Sequence, residues 1–369
     1  MKSIAWWRPP PPRPKPAGAV AFVLQATGSH SWSVSGGWGR AAERLGIPCQ
    51  VLAPRARWGA RTPDDDGGVP EHLARSRPED LILLLGFDWH SQALHRSARW
   101  RRRFARARGR KLLYVQESIA ASRRVSGTDA MARAFASAAE LCDGVVYADL
   151  GDGPAVRASG KPARWMPFGV DDELFRPEVP FRARAPRAFF RGKVDPFGDD
   201  REYRERRQLL GFLRERGLID VLRYTPGPLD AAVLVKDFNR YQIALNLPSV
   251  FAGHPTRILE GMACGCCVVT NRTGVPELDG LLRDGVEVLS YAGEAELEAR
   301  VRWVLATPEG AAAIAARGRA AAATRFSLPR LLAEVIEWAQ REFPGVLPGW
   351  SSDLRGEGPG RAGAGAQPT

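Results

Sequence analysis

Residues 241–278 read YQIALNLPSVFAGHPTRILEGMACGCCVVTNRTGVPEL. Two short apolar runs, Ile243–Leu247 and Cys266–Thr270, have the length of strands and are bounded by Pro or Gly, which is typical of buried strands in a parallel sheet. Between them, Pro255 and Gly265 predict the start and the end of a short helix, because Pro fits the first helical position and Gly fits the left-handed conformation that ends helices. The stretch therefore predicts a strand, a helix and a second strand of an α/β fold.

The start of this helix predicts a site for a phosphate group. Ligands of α/β sheets gather beyond the carboxyl ends of the strands, where a helix N-terminus offers unpaired N–H groups and a positive dipole end. His254, Thr256 and Arg257 lie at the helix start and are candidate residues for binding a nucleotide. Glu260 lies one turn further, where a carboxylate can accept hydrogen bonds from both ribose hydroxyls; a solvated helix glutamate is the alternative interpretation.

Residues 257–278 resemble the nucleotide-sugar site of GT-B glycosyltransferases of the family-four type. The matching positions are Glu260, Ala263, Gly265, Gly274, Pro276 and Glu277. The family-four pattern has a second Glu eight positions before the first, and that residue contacts the transferred sugar; Ala252 stands there in this chain. This departure favours the offshoot that resembles spore-maturation glycosyltransferases, whose Arg-x-x-Glu is matched by Arg257 and Glu260.

A second motif, RWMPFGVDDELFRP at residues 164–177, resembles the signature with which these enzymes leave their first domain. The resemblance implies the GT-B fold, an α/β fold in which two Rossmann-like domains face each other across a cleft and a C-terminal helix, Pro329–Phe343, crosses back to the first domain. The implied organisation is a disordered Pro-rich arm over 1–17, an acceptor-side domain over 18–177, a nucleotide-sugar-binding domain over 178–343 and a disordered tail over 344–369.

Basic and glycine residues elsewhere extend the predicted donor site. Arg191 and Lys193 flank Gly192 within a predicted strand over residues 187–194 and would face opposite ways. The resemblance implies basic residues on the donor diphosphate here, with Lys193 favoured. Departure of a nucleoside diphosphate builds negative charge, which preorganised cations stabilise without a metal or cofactor. One of Arg201, Arg204 and Arg207, at the start of the next helix, is a candidate for a second cation. Gly36 and Gly37 open a helix after the first strand and resemble a Gly-Gly loop that faces the donor phosphates from the opposite wall.

Glu117 and His90 are the candidate catalytic residues. Glu117 follows the predicted strand Lys111–Val115, and polar residues at this end of a doubly wound sheet reach the ligand crevice; it is a candidate base, with a helix cap as the alternative. His90 lies in the sequence DWH, which resembles a stretch of starch and glycogen synthases in which a histidine near the transferred sugar assists. A structural histidine is the alternative.

Composition bounds the remaining expectations. The 369 residues are enough for two α/β domains, each with its own core.

The net charge of +12 predicts an anionic partner. The run Arg96–Lys111 is either a solvated arginine face or a patch for peripheral contact with an anionic membrane; nucleic acid is not the expected partner. The absence of an apolar signal segment predicts a cytoplasmic enzyme, at most peripheral at the inner face of the membrane. The five cysteines lack the C-x-x-C spacing of a zinc site, so no metal is expected.

Together these features predict a metal-independent glycosyltransferase of the hexosyltransferase type. It would move a sugar from a nucleoside-diphosphate sugar to a hydroxyl acceptor on a glycan of the cell envelope, a lipid-linked intermediate or a small molecule. With Ala252 in place of the second Glu, retention and inversion both stay open. Two alternatives remain: a GT-B nucleotide-sugar epimerase, which needs an acid/base pair of carboxylates in the cleft, and a basic nucleic-acid-binding or scaffold protein on a decayed GT-B fold.

Overall fold

The computed structural model of the chain describes residues 18–23, 37–52, 69–85, 94–116, 118–194, 200–222 and 231–352. Within these ranges no helix is both long enough and apolar enough to cross a bilayer.

The first domain is built on a parallel sheet, and the described residues supply six of its strands: β1 Val20–Val23, β2 Cys49–Leu52, β3 Leu81–Leu85, β4 Arg110–Val115, β5 Gly144–Tyr147 and β6 Ala163–Trp165. Their order is β2-β1-β3-β4-β5-β6. Every residue of β1 and β3 is buried, as expected when helices cover both faces of a sheet. These helices include α1 Trp38–Arg44, α2 Val69–Arg75, α3 Ala98–Ala105, α4 Ile119–Ser126, α5 Ala130–Leu141 and α6 Gly153–Ala158.

The second domain has a parallel sheet whose described strands are β7 Ala185–Arg191, β8 Ile219–Leu222, β9 Tyr241–Leu245, β10 Cys267–Asn271 and β11 Leu289–Tyr291, in the order β11-β10-β9-β7-β8. Its helices include α7 Arg201–Glu215, α8 Ala231–Arg240, α9 Thr256–Ala263, α10 Pro276–Asp279, α11 Glu294–Ala306 and α12 Pro308–Arg325. The chain order reverses between β7 and β9, which makes the carboxyl ends of these two strands the topological switch point where doubly wound sheets bind ligands.

The predicted strand, helix and strand are confirmed as β9, α9 and β10. Gly265 ends α9 with φ +75°, a left-handed conformation that residues with a Cβ rarely adopt. The helix begins one residue later than predicted, because Pro255 is its cap. Gly261 lets α9 lie close to the sheet, since an added Cβ would be 3.0 Å from Cβ of Ala244.

A C-terminal helix, α13 Leu328–Glu342, crosses back and packs in the core of the first domain. This confirms the predicted crossing of the GT-B fold. The chain passes between the domains near Phe168, which packs against the cores of both. The passage comes earlier than the predicted boundary at residue 177, because Val170 and Phe175 are already buried in the second core.

The predicted disordered tail is wrong for residues 344–352. Val346, Leu347 and Trp350 are buried in the first core, and the amide of Leu347 donates to the carbonyl oxygen of Glu79 at 2.9 Å. Apolar burial and this long-range hydrogen bond order the segment despite its glycines and prolines. Residues 353–369 and the predicted arm over 1–17 lie outside the described residues.

The three cysteines of the central motif are fillers of the second core. Cys264, Cys266 and Cys267 each expose at most 1% of their surface, and burial raises the pKa of the Cys266 and Cys267 thiols to about 12. Since the thiolate is the reactive form, we expect an aromatic disulfide reagent to modify only Cys49, the half-buried thiol, in the native protein. All five thiols should react after unfolding; rapid native reaction of more than one would contradict this assignment.

Candidate active site

The switch point of the second sheet brings together the loop after β7, the loop after β9 and the N-terminus of α9. Gly192 and Lys193 follow β7, and residues 246–255 connect β9 to α9. An added Cβ on Gly192 would lie 3.1 Å and 3.2 Å from the two terminal nitrogens of Arg257. Only a glycine therefore allows the first loop to approach the guanidinium at the helix start so closely.

Two guanidinium groups meet at this point around one aromatic ring. The guanidinium carbon of Arg257 lies 5.0 Å from the ring centre of Phe190, and that of Arg206 lies 5.6 Å from the same centre. Phe190 is fully buried at the end of β7. The ring therefore holds two positive charges from different helices next to each other, in a place that water only partly reaches.

Arg206 is buried, with 3% of its surface exposed. It donates hydrogen bonds to the carbonyl oxygens of Pro248 at 2.6 Å and Lys193 at 2.8 Å, so it joins the loops after β9 and β7. Burial, together with the charge of Arg257, lowers the pKa of Arg206 to about 9. A bound anion would offset both effects, which makes this pair suited to a phosphate group.

Lys193 and Arg191 lie in different surroundings. The Lys193 side chain is exposed, yet nearby protein atoms desolvate its ammonium enough to lower the pKa. Arg191 is held by an ion pair of 2.5 Å with Asp237 on α8. Of the two residues, Lys193 is the one whose carbonyl oxygen accepts a hydrogen bond from Arg206; the role of each in donor binding stays a prediction.

The remaining predicted residues of the second domain lie on or just before α9. Thr256 opens the helix, and its cap, Pro255, supplies no side-chain hydrogen bond. Glu260 is buried, with 3% of its surface exposed, so it is not the solvated helix glutamate of the alternative interpretation. The Nε2 atom of His254 lies 2.9 Å from the carbonyl oxygen of Leu278, and burial lowers the pKa of the ring. His254 thus links the loop before α9 to the Gly-x-Pro-Glu turn.

In the first domain, Gly37 is the cap of α1. An added Cβ there would lie 2.4 Å from Leu328 and 2.7 Å from a carboxylate oxygen of Asp171, so close packing of α1 on the domain crossover requires this glycine. Its predicted phosphate contact stays a prediction. Gly36, His90 and Glu117 lie outside the described residues.

The structure adds an acidic cluster that the sequence analysis did not identify. Asp149 and Asp152 follow β5 and are both buried. Oδ1 of Asp152 accepts hydrogen bonds from Ser118 Oγ at 3.1 Å and from the amide of Ala120 at 2.9 Å. Burial, with a contribution from the charge of Asp149, raises the pKa of Asp152 to about 6, so this carboxyl group titrates near neutral pH.

Arg206 and Asp149 were not predicted as site residues, but the sequence carries a signal for each. Arg206 lies three residues after Tyr203 and three before Leu209, on the apolar side of α7, whereas Arg201 and Arg204 lie on the exposed side. A cation on an apolar helix face indicates a buried partner or ligand. Asp149 lies just after β5, a position equivalent to the one that singled out Glu117.

Within the described parts of the chain, no group of three or more His, Cys, Asp or Glu side chains is arranged to hold a metal ion.

Comparisons with known proteins agree with this architecture. Residues 180–337 match the family described as glycosyl transferase-like. A comparison with curated protein sequences found no match. Among solved structures, HepE of Anabaena in complex with UDP is 14% identical with a TM-score of 0.54, and the similarity covers 86% of this chain and 99% of that one. Sucrose-phosphate synthase of Thermosynechococcus elongatus is 14% identical with a TM-score of 0.57, covering 86% of this chain and 98% of that one.

These findings confirm the predicted GT-B fold and the resemblance of the second domain to glycosyltransferases. The structural likeness extends over both domains, and the family match covers the second domain, which holds the two guanidinium groups. Residues 180–337 therefore form a glycosyltransferase family domain, in a chain that has the GT-B fold.

Proposed function

We propose that the protein transfers a sugar from a nucleoside-diphosphate sugar to a hydroxyl acceptor. The observation that carries this proposal is the pair of guanidinium groups, Arg206 and Arg257, at the switch point of the second sheet. Two cations held beside a helix N-terminus match the charge of a diphosphate. HepE, which shares the fold, was solved with UDP and with UDP-glucose, and UDP is therefore the first nucleotide to test.

The chemical role of the pair follows from the charge that develops in the reaction. The bond between the anomeric carbon and the diphosphate oxygen breaks with its electrons on the diphosphate, while the acceptor oxygen bonds to the carbon. Arg206 is fixed in advance by the carbonyl oxygens of Lys193 and Pro248, so it can stabilise the leaving group without reorganising. Lys193 and the start of α9 would add positive charge, which is why we propose a metal-independent reaction.

Glu260 is proposed to bind the ribose. It lies one turn after Arg257 on the same helix, and its carboxylate is buried, so a hydrogen bond from a ribose hydroxyl to it would be strengthened by the low local dielectric. The first domain would bind the acceptor, a glycan of the cell envelope, a lipid-linked intermediate or a small molecule, with Glu117 as the base.

A thermal-shift panel tests the donor site. We expect one of UDP, GDP, ADP and dTDP, in the presence of EDTA, to raise the melting temperature of the wild type, because a ligand that binds the native state stabilises it by mass action. The shift should disappear in Glu260→Ala and persist in Glu215→Ala, a control that removes an exposed glutamate near the end of α7 opposite the site. A cooperative transition that none of these nucleotides moves, with or without added magnesium, would refute the proposal.

The structure contains a pair of neighbouring carboxylates, as the epimerase alternative requires, but both are almost inaccessible to a substrate. Asp149 and Asp152 each expose at most 5% of their surface, and both accept hydrogen bonds from groups of the protein itself: Ser118, Ala120, Gly151 and Ala252. An acid/base pair that inverts a sugar carbon has to reach that carbon from the cleft. The pair is therefore better suited to holding protein groups than to proton transfer with a substrate.

We also propose that helix α3 contacts an anionic membrane surface. Trp100 and Phe104 anchor this helix in the first core, which leaves Arg99, Arg102 and Arg106 exposed. Each basic residue near a surface of anionic lipid contributes about 1 kcal/mol. The wild type should therefore sediment with vesicles that contain phosphatidylserine and not with pure phosphatidylcholine vesicles, and replacing the three arginines by glutamate should abolish binding. Tighter binding to single-stranded RNA than to these vesicles would instead favour the nucleic-acid alternative.

A further inference from the structure

The two domains are joined directly across the cleft at Ala252. Oδ2 of Asp149 accepts a hydrogen bond from the amide of Ala252 at 3.1 Å, and the amide of Leu150 donates to the carbonyl oxygen of Ala252 at 3.0 Å. Both hydrogen-bonding groups of the Ala252 backbone are thus bound by the segment that follows β5 in the first domain.

Small residues on both sides allow the two backbones to make this contact. An added Cβ on Gly253 would lie 3.3 Å from the carbonyl oxygen of Ala148, and one on Gly151 would lie 3.7 Å from Cβ of Ala252. A larger side chain at position 252 would meet the first domain. The backbones of the two domains can approach this closely only because these positions carry little or no side chain.

The Asp149 carboxylate depends on these hydrogen bonds. It exposes 5% of its surface, and its second oxygen, Oδ1, accepts from the amide of Gly151 at 2.7 Å. Burial raises the pKa of Asp149, whereas the hydrogen bonds from Ser118, Gly151 and Ala252 lower it. Opening of the cleft would therefore remove a hydrogen bond that stabilises a buried charge.

A second bridge flanks the same cleft. Arg124 on α4 pairs with Glu202, Nη1 to Oε1 at 2.9 Å, and with Asp200 at 3.2 Å. Both acidic residues lie at the start of α7, where Asp200 caps the helix. The helix that carries Arg206 is thus tied to the first domain at one end, as α9 is through the loop that contains Ala252.

We propose that Asp149 is a positioning residue that latches the two domains in the closed form by binding the backbone of Ala252, and that this latch fixes the start of α9 for the donor nucleotide. The part that concerns the nucleotide rests on the proposed function. The position that provides a sugar-contacting Glu in family-four enzymes is here occupied by Ala252, whose backbone serves the latch. In the open form, the start of α9, which carries Arg257, would no longer be held in a fixed position relative to the first domain.

Small-angle X-ray scattering of the protein without nucleotide tests the latch. Asp149→Ala should increase the radius of gyration, with an unchanged circular dichroism spectrum. Asp143→Asn is the matched control, because Asp143 lies at the other end of β5, bound to Arg110 and the amide of Lys111, and it should leave the radius unchanged. Ala252→Leu breaks the same contact from the second domain, because the larger side chain would meet the first domain. Its radius of gyration should also increase, and this variant tests the latch if Asp149→Ala fails to fold.

Calorimetric titration with UDP tests the positioning role. If closed molecules of Asp149→Ala fall to about a tenth of the population, its apparent affinity for UDP falls about tenfold, while its circular dichroism spectrum stays that of the wild type. An unchanged radius in both Asp149→Ala and Ala252→Leu would overturn the latch. A larger radius with unchanged UDP affinity would overturn the positioning role, and a wild type that binds no UDP would refute the choice of UDP while the scattering still decides the latch.

Discussion

Replacing Arg257 by alanine is expected to weaken UDP binding about 10- to 100-fold. A hydrogen bond to a charged group contributes about 1.5–3 kcal/mol, and each 1.4 kcal/mol is about tenfold in affinity. The melting temperature of the free protein should not fall by more than that of a surface variant, because the change also removes the charge that lowers the pKa of Arg206. Isothermal titration calorimetry measures the affinity, and differential scanning calorimetry measures the melting temperature.

Two further variants sharpen this prediction. Arg214→Ala is the matched control, since Arg214 lies on the exposed face of α7, near the end opposite the site, and its UDP affinity should equal that of the wild type. Arg257→Lys keeps the charge but loses the planar fork that binds two phosphate oxygens, so an intermediate affinity is expected. Equal affinity of Arg257→Ala and the wild type would remove the guanidinium pair as the basis of the donor site.

Replacing Arg184 by alanine is expected to destabilise the second domain by about 3–5 kcal/mol, because each buried carbonyl oxygen left without its donor costs about 1–3 kcal/mol. Arg184 exposes 4% of its surface and donates to the carbonyl oxygens of Cys264 at 2.7 Å, Val179 at 2.8 Å and Phe238 at 3.1 Å. Alanine would leave these buried acceptors without their donor. For a domain of this size, about 2–4 °C per kcal/mol corresponds to a loss of about 6–20 °C in melting temperature.

Differential scanning calorimetry of Arg184→Ala and Arg182→Ala tests this assignment. Arg182 lies in the same segment, but its ion pair with Glu309 is about two-thirds exposed on both sides, so its loss should cost less than about 1 kcal/mol. Similar melting temperatures for the two variants would show that Arg184 is not a structural link between the segment before β7 and the central motif.

The central motif shows how much local sequence can predict. The strand, helix and strand at residues 241–271 follow from two apolar runs and the helix signals at Pro255 and Gly265, all of which act within a few residues. The predicted helix start is off by one residue, because capping by Pro255 and the first helical position look alike in sequence. The resemblance of residues 257–278 to the nucleotide-sugar site of GT-B glycosyltransferases agrees with the fold and with the family match over residues 180–337.

The Gly and Pro content of the C-terminal segment led to a wrong prediction of disorder for residues 344–352. Residues 344–352 carry Gly and Pro as a flexible tail does, yet Val346, Leu347 and Trp350 are buried on the first domain. Their burial depends on an apolar surface to which α13 and the distant strands of the first sheet both contribute. Composition alone does not reveal whether such a surface exists.

The sequence by itself determined the α/β class, the strands before and after α9, the GT-B resemblance and the prediction of where the donor binds, because these depend on patterns, caps and spacings along the chain. Only the tertiary structure decided that Arg206 and Arg257 both lie over the ring of Phe190 and that Asp149 binds Ala252, which is 103 residues away. The direction of a charged side chain is set by the desolvation and hydrogen bonds that it meets after folding. Those partners come from other strands and helices, so no local pattern specifies them.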